Sequence, residues 1–123
     1  MNRLTSIQIG DIGETILLTE LKMRGLSVAI PFGHLDPFDL IVVTPRGRCI
    51  KVQVKCTSKP TRGGAGHQFQ NIKNTHLNDV YAFLLVDRWC FMSAVDVGKA
   101  VKDSNRINLN KKMVRFDNYE IFD

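Results

Sequence analysis

No apolar run in this chain approaches the roughly 18 residues that a membrane-spanning helix needs. The N-terminus carries no basic stretch leading into a signal-like apolar segment. Both absences point to a soluble, cytoplasmic protein with no membrane partner. Cysteine is scarce, and Cys49, Cys56 and Cys90 are odd in number, scattered and never at CxxC spacing. That argues against a zinc site, and the three thiols read as reduced core side chains. His34, His67 and His76 are not at metal-ligand spacing either and read as loop residues. Gly63-Gly64-Ala65-Gly66 is no nucleotide-phosphate loop, because no Gly-Lys-Ser/Thr follows it into a helix. There is no internal repeat, and no linker long enough to divide the 123 residues, so residues 1–123 read as a single domain with one core.

What is present fits a small packed domain. Hydrophobic residues make up 44% of the chain, enough for an interior. Lys and Arg number 17 against 12 Asp and Glu, a formal net charge of +5. A basic balance favours a polyanionic partner, although where the charge sits matters more than its total.

The first segment reads as a helix. Thr5 and Gln8 stand at capping-box spacing. Ile9, Ile12, Ile16, Leu17, Leu21 and Met23 fall on a broad apolar face, and Gly25 is the stop. At about 100° per residue, Glu14 lies at the edge of that face, with Gly10 one turn before it leaving space above the carboxylate. Glu20 intrudes on the face too, so helical spacing alone does not distinguish the two.

Residues 26–31 read as a short strand and residues 32–37 as a loop. Residues 38–44 and 48–57 then form a hairpin around Pro45-Arg46-Gly47. Proline suits the first central position of a type I turn, and glycine the left-handed residue after it, which fits a three-residue loop. Loop length sets the register. If Thr44 pairs with Arg48, Asp39 pairs with Gln53, and directly opposed residues share a face. Lys55, two residues on, joins them, while Ile50, Val52 and Val54 point to the other, buried face. A two-residue loop would turn Asp39 to the wrong side. The hairpin therefore gathers a carboxylate, an amide and an ammonium, a set able to hold a divalent metal beside a phosphate. Glu14 could complete it. Singly, each of these residues also reads as an ordinary cap, edge or surface side chain; their joint facing carries the functional reading.

Residues 59–76 read as a flexible basic loop. Strands over 80–86 and 89–95 follow, joined at Asp87-Arg88, with Trp89 and Phe91 as core residues. Asp96 is placed to cap a short helix through about Lys102, and a last strand is expected near Lys111, Lys112 and Arg115.

With this order of elements, Pro37-Phe38-Asp39 and Gln53-Val54-Lys55 resemble the signature of the PD-(D/E)XK nuclease superfamily. The match covers roughly residues 8 to 95. Phe38 intervenes in the usual Pro-Asp pair, and Gln53 stands where an acid is usual. Within the superfamily the chain looks most like group I intron-associated homing endonucleases with a Gln-x-Lys core. Archaeal Holliday-junction resolvases are next in layout. The resemblance implies an α/β, restriction-endonuclease-like fold, a mixed sheet of four or five strands flanked by helices. It implies a Mg²⁺-dependent DNA endonuclease, with Mn²⁺ able to substitute, in which Glu14, Asp39, Gln53 and Lys55 are catalytic. Glu14, Asp39, Gln53 and the Val54 carbonyl would hold the metal, and Lys55 would orient the attacking water or stabilise the phosphoryl charge. Replacing a carboxylate by Gln53 removes one negative charge and throws weight onto Glu14. Lys51, Lys59, Arg62 and Lys73 are the candidate phosphate contacts. Gln68, Gln70, Asn71 and Asn74 could read adenine edges. So small a domain spans a long site only as a homodimer or homotetramer. Junction resolution, and a non-catalytic scaffold that binds nucleic acid, remain as alternatives.

Overall fold

The computed structural model describes residues 3–33, 36–56, 59–61 and 66–123, with 59 and 60 as backbone alone. Helix α1 runs from Ser6 to Met23. The Thr5 hydroxyl accepts from the Gln8 amide at 3.2 Å, and Gln8 Oε1 accepts from the Thr5 amide at 2.8 Å. This is the capping box that the spacing predicts. Gly25, at φ +81°, stops the helix, its amide donating to the Lys22 carbonyl and that of Leu26 to the Leu21 carbonyl. The buried stripe is narrower than the apolar spacing suggests. Gly13, Leu17 and Leu21 are buried, while Ile12, Ile16 and Met23 are exposed. The helix meets the sheet along one i, i+4 row, and a residue one step off that row is turned about 100° away.

The strands are β1 (Ser27–Ala29), β2 (Leu40–Val43), β3 (Cys49–Lys55), β4 (Lys59–Pro60), β5 (Gly66–Phe69), β6 (Val80–Leu85), β7 (Arg88–Ser93) and β8 (Ile107–Asn110), with α2 (Ala94–Ala100) between the last two. Five form a mixed sheet in the order β1-β2-β3-β6-β7, parallel only between β3 and β6. The fold is therefore α/β, as expected. The hairpin register is the one that a three-residue loop dictates, from Leu40↔Val52 to Val43↔Cys49. Gly47 sits at φ +83°, and its amide donates to the Thr44 carbonyl at 2.9 Å. Ile50, Val52 and Val54 are buried, as the alternation requires.

The sheet carries a core on each face. On one, Leu17 and Leu21 of α1 and Phe122 near the C-terminus pack on Val42, Ile50, Val52, Ala82 and Phe91. On the other, Tyr81 and Phe83 pack against Phe69, Ile72, Val97, Ile107 and Leu109. Strand β6 is covered on both sides, which is why it reads as a nearly unbroken apolar run.

Three local expectations are corrected. The stretch 59–76 is not simply a loop: β4 and β5 join β8 in a second, three-stranded antiparallel sheet, and a 3₁₀ turn covers Thr75–Leu77. Phe69 and Ile72, 0% and 2% exposed, anchor that stretch to the core. The last strand stands directly before Lys111 and Lys112, near where one was expected, with Ile107 and Leu109 turned inward. Helix α2 is capped by Ser93, whose hydroxyl accepts the Asp96 amide at 3.1 Å, so Asp96 lies in the first turn. Among the cysteines only Cys90 is buried, where desolvation pushes its thiol up to about 11; Cys49 is exposed and Cys56 half-buried. His34 lies outside the described residues, and His67 belongs to β5.

Candidate active site

Beyond Leu40 the ladder between β2 and β3 ends, and a side chain takes over from the backbone. The Val54 amide, which would otherwise seek a carbonyl on β2, donates to Asp39 Oδ2 at 2.8 Å. The Asp39 amide itself donates to the Val52 carbonyl at 2.9 Å. Asp39 is thus held at both ends by the strand that carries Gln53 and Lys55.

Glu14 arrives from the layer across the sheet. A Cβ at Gly13 would stand 2.7 Å from Cys56 Sγ, so the missing side chain lets α1 close on the end of β3. Cys56 Sγ in turn donates to the Ile9 carbonyl at 3.3 Å. The next residue, Glu14, then reaches Asp39. Burial, followed by the charge of Asp39, a hydrogen bond with it and the charge of Asp11, raises the Glu14 carboxyl to about 7. Glu20, the rival on the helix, is spent in an exposed ion pair with Arg24 at 2.7 Å. Gly10, read as the spacer, has nothing within 4 Å of its Cβ position; the close approach is at Gly13.

Burial lowers the Lys55 ammonium from its ordinary value, and the charges of Asp39 and Cys56 oppose that shift. Its Nζ donates to the Asn71 carbonyl at 3.2 Å. Asn71 holds a left-handed φ of +59°, which asparagine tolerates better than most residues. Beside Lys55 lies a cavity of about 200 Å³ lined by Pro37, Gln53, Asn71, Lys73 and Tyr81 among others.

The structure therefore brings Glu14, Asp39 and Lys55 into electrostatic contact, with Gln53 beside Lys55 in the cavity wall and Val54 holding Asp39. Among the described residues no group of three His, Cys, Asp or Glu side chains forms a metal site. The donor set here is two carboxyls, the Gln53 amide and the Val54 carbonyl. Two carboxyls in contact, one already driven toward its protonated form, are a fitting place for a hard divalent cation. Of the candidate phosphate contacts, Lys73 is exposed in the cavity rim, and Lys51 holds its ammonium 6.0 Å over the Phe38 ring. The Lys59 side chain and Arg62 lie outside the described residues. Sequence reasoning missed Asp11, Gly13 and the carbonyl of Asn71. A glycine one residue before the helix acid was the available signal for Gly13.

The model of the PD-(D/E)XK endonuclease family matches residues 4–82, which span helix, hairpin and β6. The chain belongs to the PD-(D/E)XK endonuclease family. Solved structures agree in fold. A bacterial homing endonuclease, I-Ssp6803I, superposes with a TM-score of 0.73 at 20% identity, over 98% of this chain and 87% of that one. Hjc of Archaeoglobus fulgidus, a Holliday junction resolvase from an archaeal hyperthermophile, gives a TM-score of 0.62 at 14% identity, over 91% and 93% of the two chains. No curated protein sequence matches significantly. In this PD-(D/E)XK endonuclease the sheet and first helix supply the frame, and Gln53-Val54-Lys55 stands on its central strand β3.

Proposed function

We propose that this protein is a divalent-metal-dependent DNA endonuclease, with Mg²⁺ as the ion and Mn²⁺ as a substitute, that cuts duplex DNA at specific sites as in intron homing. One observation carries the reading. Glu14 and Asp39 meet at the end of β3 beside a half-buried lysine, with Asp39 held on the Val54 amide, a grouping of little use to a merely structural strand end. Asp39, Gln53, the Val54 carbonyl and Glu14 would hold the cation. When bound it supplies charge compensation at the phosphoryl oxygens and acidifies a coordinated water. Asp39 is fixed by the Val54 amide and cannot swing away as charge develops. Glu14, as the carboxylate, would serve as a ligand or orient water. Lys55 Nζ, tied by one hydrogen to the Asn71 carbonyl, keeps the others for the phosphate or the attacking water. The family membership and the homing-endonuclease fold support this reading. A homodimer or homotetramer follows from the small size of one domain against a long site.

Junction resolution is the second reading, favoured by the fold shared with a resolvase. The test is cleavage of supercoiled plasmid, an intron-insertion target library and a synthetic four-way junction in Mg²⁺. Wild type is run beside Asp39→Ala and Lys55→Ala. Cutting that is lost in both variants supports a metal nuclease, and the preferred substrate separates homing from resolution. DNA binding without cutting by the wild type on every substrate would overturn the proposal in favour of a binding scaffold.

A further inference from the structure

We infer that the second sheet is a base-reading surface for the major groove of duplex DNA, in which Gln68, Gln70 and Asn108 read base edges within about three base pairs of the cut. This rests on the reading of the protein as a DNA nuclease.

The strand period places these residues. β5 and β8 are antiparallel, with Gln68 opposite Asn108 and Phe69 opposite Ile107. Phe69, Ile107 and Leu109 are buried against the main sheet, so Gln68, Asn108 and Asn110 stand on the outer face. Gln68 Nε2 donates to Asn108 Oδ1 at 3.2 Å, and Gln70 Nε2 to Gln68 Oε1 at 3.5 Å, forming a continuous amide ladder. Here every outward side chain of β5 and β8 is a neutral amide. An amide presents a donor and an acceptor side by side, the pattern that pairs with N6 and N7 of adenine; the major groove admits a two-stranded ribbon, and beyond β5 and β8 this sheet adds only the two-residue β4.

Positive charge sits at the ends of the ladder, where phosphates would pass. Lys102 and Arg106 precede β8, bridged to each other through their backbones. Lys111 and Lys112 follow it directly, and Asn110 Oδ1 accepts the Lys112 amide at 2.9 Å, fixing that turn. None of these four cations is in an ion pair among the described residues. The ladder is also tied to the chemistry. Gln70 is followed by Asn71, whose carbonyl holds Lys55 Nζ. Three residues from Gln68 to Asn71 reach at most about 10 Å. That is roughly three base-pair steps at 3.4 Å along a strand.

The experiment is selection of bound sequences from a randomised duplex pool by the full chain without metal. Wild type is compared with Gln68→Glu, Asn108→Ala and Lys111→Ala/Lys112→Ala, each checked for an unchanged melting temperature. Wild type should favour adenine at a short contiguous run near the cut. Asn108→Ala should lose roughly tenfold or more of discrimination at one base pair, and Gln68→Glu should shift its position from adenine toward cytosine, whose N4 a carboxylate accepts. The double lysine variant should weaken all sequences alike and reduce the salt slope by about 0.9 per lysine removed. An unaltered preference in folded Gln68→Glu and Asn108→Ala, or no base preference in the wild type, would overturn the ladder. Selected base preference without Mg²⁺-dependent cutting would sink the nuclease reading and leave the ladder standing.

Discussion

At Gly13 one absent methyl group sets the distance between the first helix and the end of β3. An added Cβ would meet Cys56 Sγ at 2.7 Å and Cys56 Cβ at 2.9 Å, so α1 would have to lift. Gly13→Ala should therefore destabilise the fold by about 1–3 kcal/mol, as overpacking does. It should also reduce cleavage more than stability predicts, because the lift withdraws Glu14 from Asp39. Adding Cys56→Ala removes the nearer of the two atoms and should recover part of both losses; thermal melts and cleavage rates on the four proteins of the cycle measure it. Glu14 itself makes stability depend on pH. Unfolded, its carboxyl titrates near 4.5, and folded, near 7, raised by burial and then by Asp39. Between those values the folded state binds the extra proton, so the group's contribution, complete below the unfolded value, is lost as pH rises through the folded one. Glu14→Gln escapes that loss. Denaturant titrations without metal should show the variant gaining on wild type across this window by roughly 1 kcal/mol, discounted for solvent access, and levelling off above it. A constant gap at all pH values would mean that the folded protein does not hold the Glu14 carboxyl above its ordinary value.

Elements differ in how far local sequence announces them. The hairpin of β2 and β3 is legible because Pro45-Arg46-Gly47 fixes the loop and the loop fixes the register from Leu40↔Val52 to Val43↔Cys49, whereas Asp39 lies just beyond that ladder with its amide on the Val52 carbonyl. Helix α1 is legible at both ends through Thr5, Gln8 and Gly25. The second sheet is not. Its strands are two to four residues long, and β5 finds its partner β8 some forty residues on, a pairing no local pattern encodes. The glycine-rich composition before β5 argued for a loop, and tertiary burial of Phe69 overrode it. The closure of the β7 edge is equally invisible in sequence. Asn118 donates to the Phe91 carbonyl at 2.7 Å and accepts the Phe91 amide at 3.0 Å, completing a strand edge from a tail with no strand of its own. Asn118→Ala should cost about 1–3 kcal/mol for two part-buried backbone groups left unpaired. It should also bare an edge next to apolar side chains. Urea denaturation together with concentration-dependent light scattering checks both effects. A variant as stable and monodisperse as wild type would show that water replaces the amide without loss.

For the whole molecule, the net charge of +5 conceals a division. Carboxylates gather where a scissile phosphate would lie: Asp11 and Asp39 both act on Glu14. Four cations with no ion pair among the described residues, Lys102, Arg106, Lys111 and Lys112, stand instead at the two ends of β8. A composition total favoured a polyanionic partner but could not place these cations, whose position depends on β8 coming to lie beside β5. The separation has a consequence for binding without metal. The basic surface would attract a duplex, while Asp39 and Glu14, only partly offset by Lys55, would repel a phosphate placed beside them. Asp39→Ala removes part of that repulsion, so without metal it should bind duplex DNA more tightly than wild type. About 1 kcal/mol, roughly fivefold, is expected for one charge at short range in a partly solvated site. Adding Ca²⁺ should reverse the order. Wild type then gains a cation that offsets its acids and bridges to phosphate, whereas Asp39→Ala has lost the ligand that holds it. Fluorescence anisotropy with labelled duplex, in chelator and then in Ca²⁺, reads the crossover. If Asp39→Ala binds more weakly under both conditions, Asp39 is a structural tether for β3, and the charge division has no bearing on how the metal-free protein meets DNA.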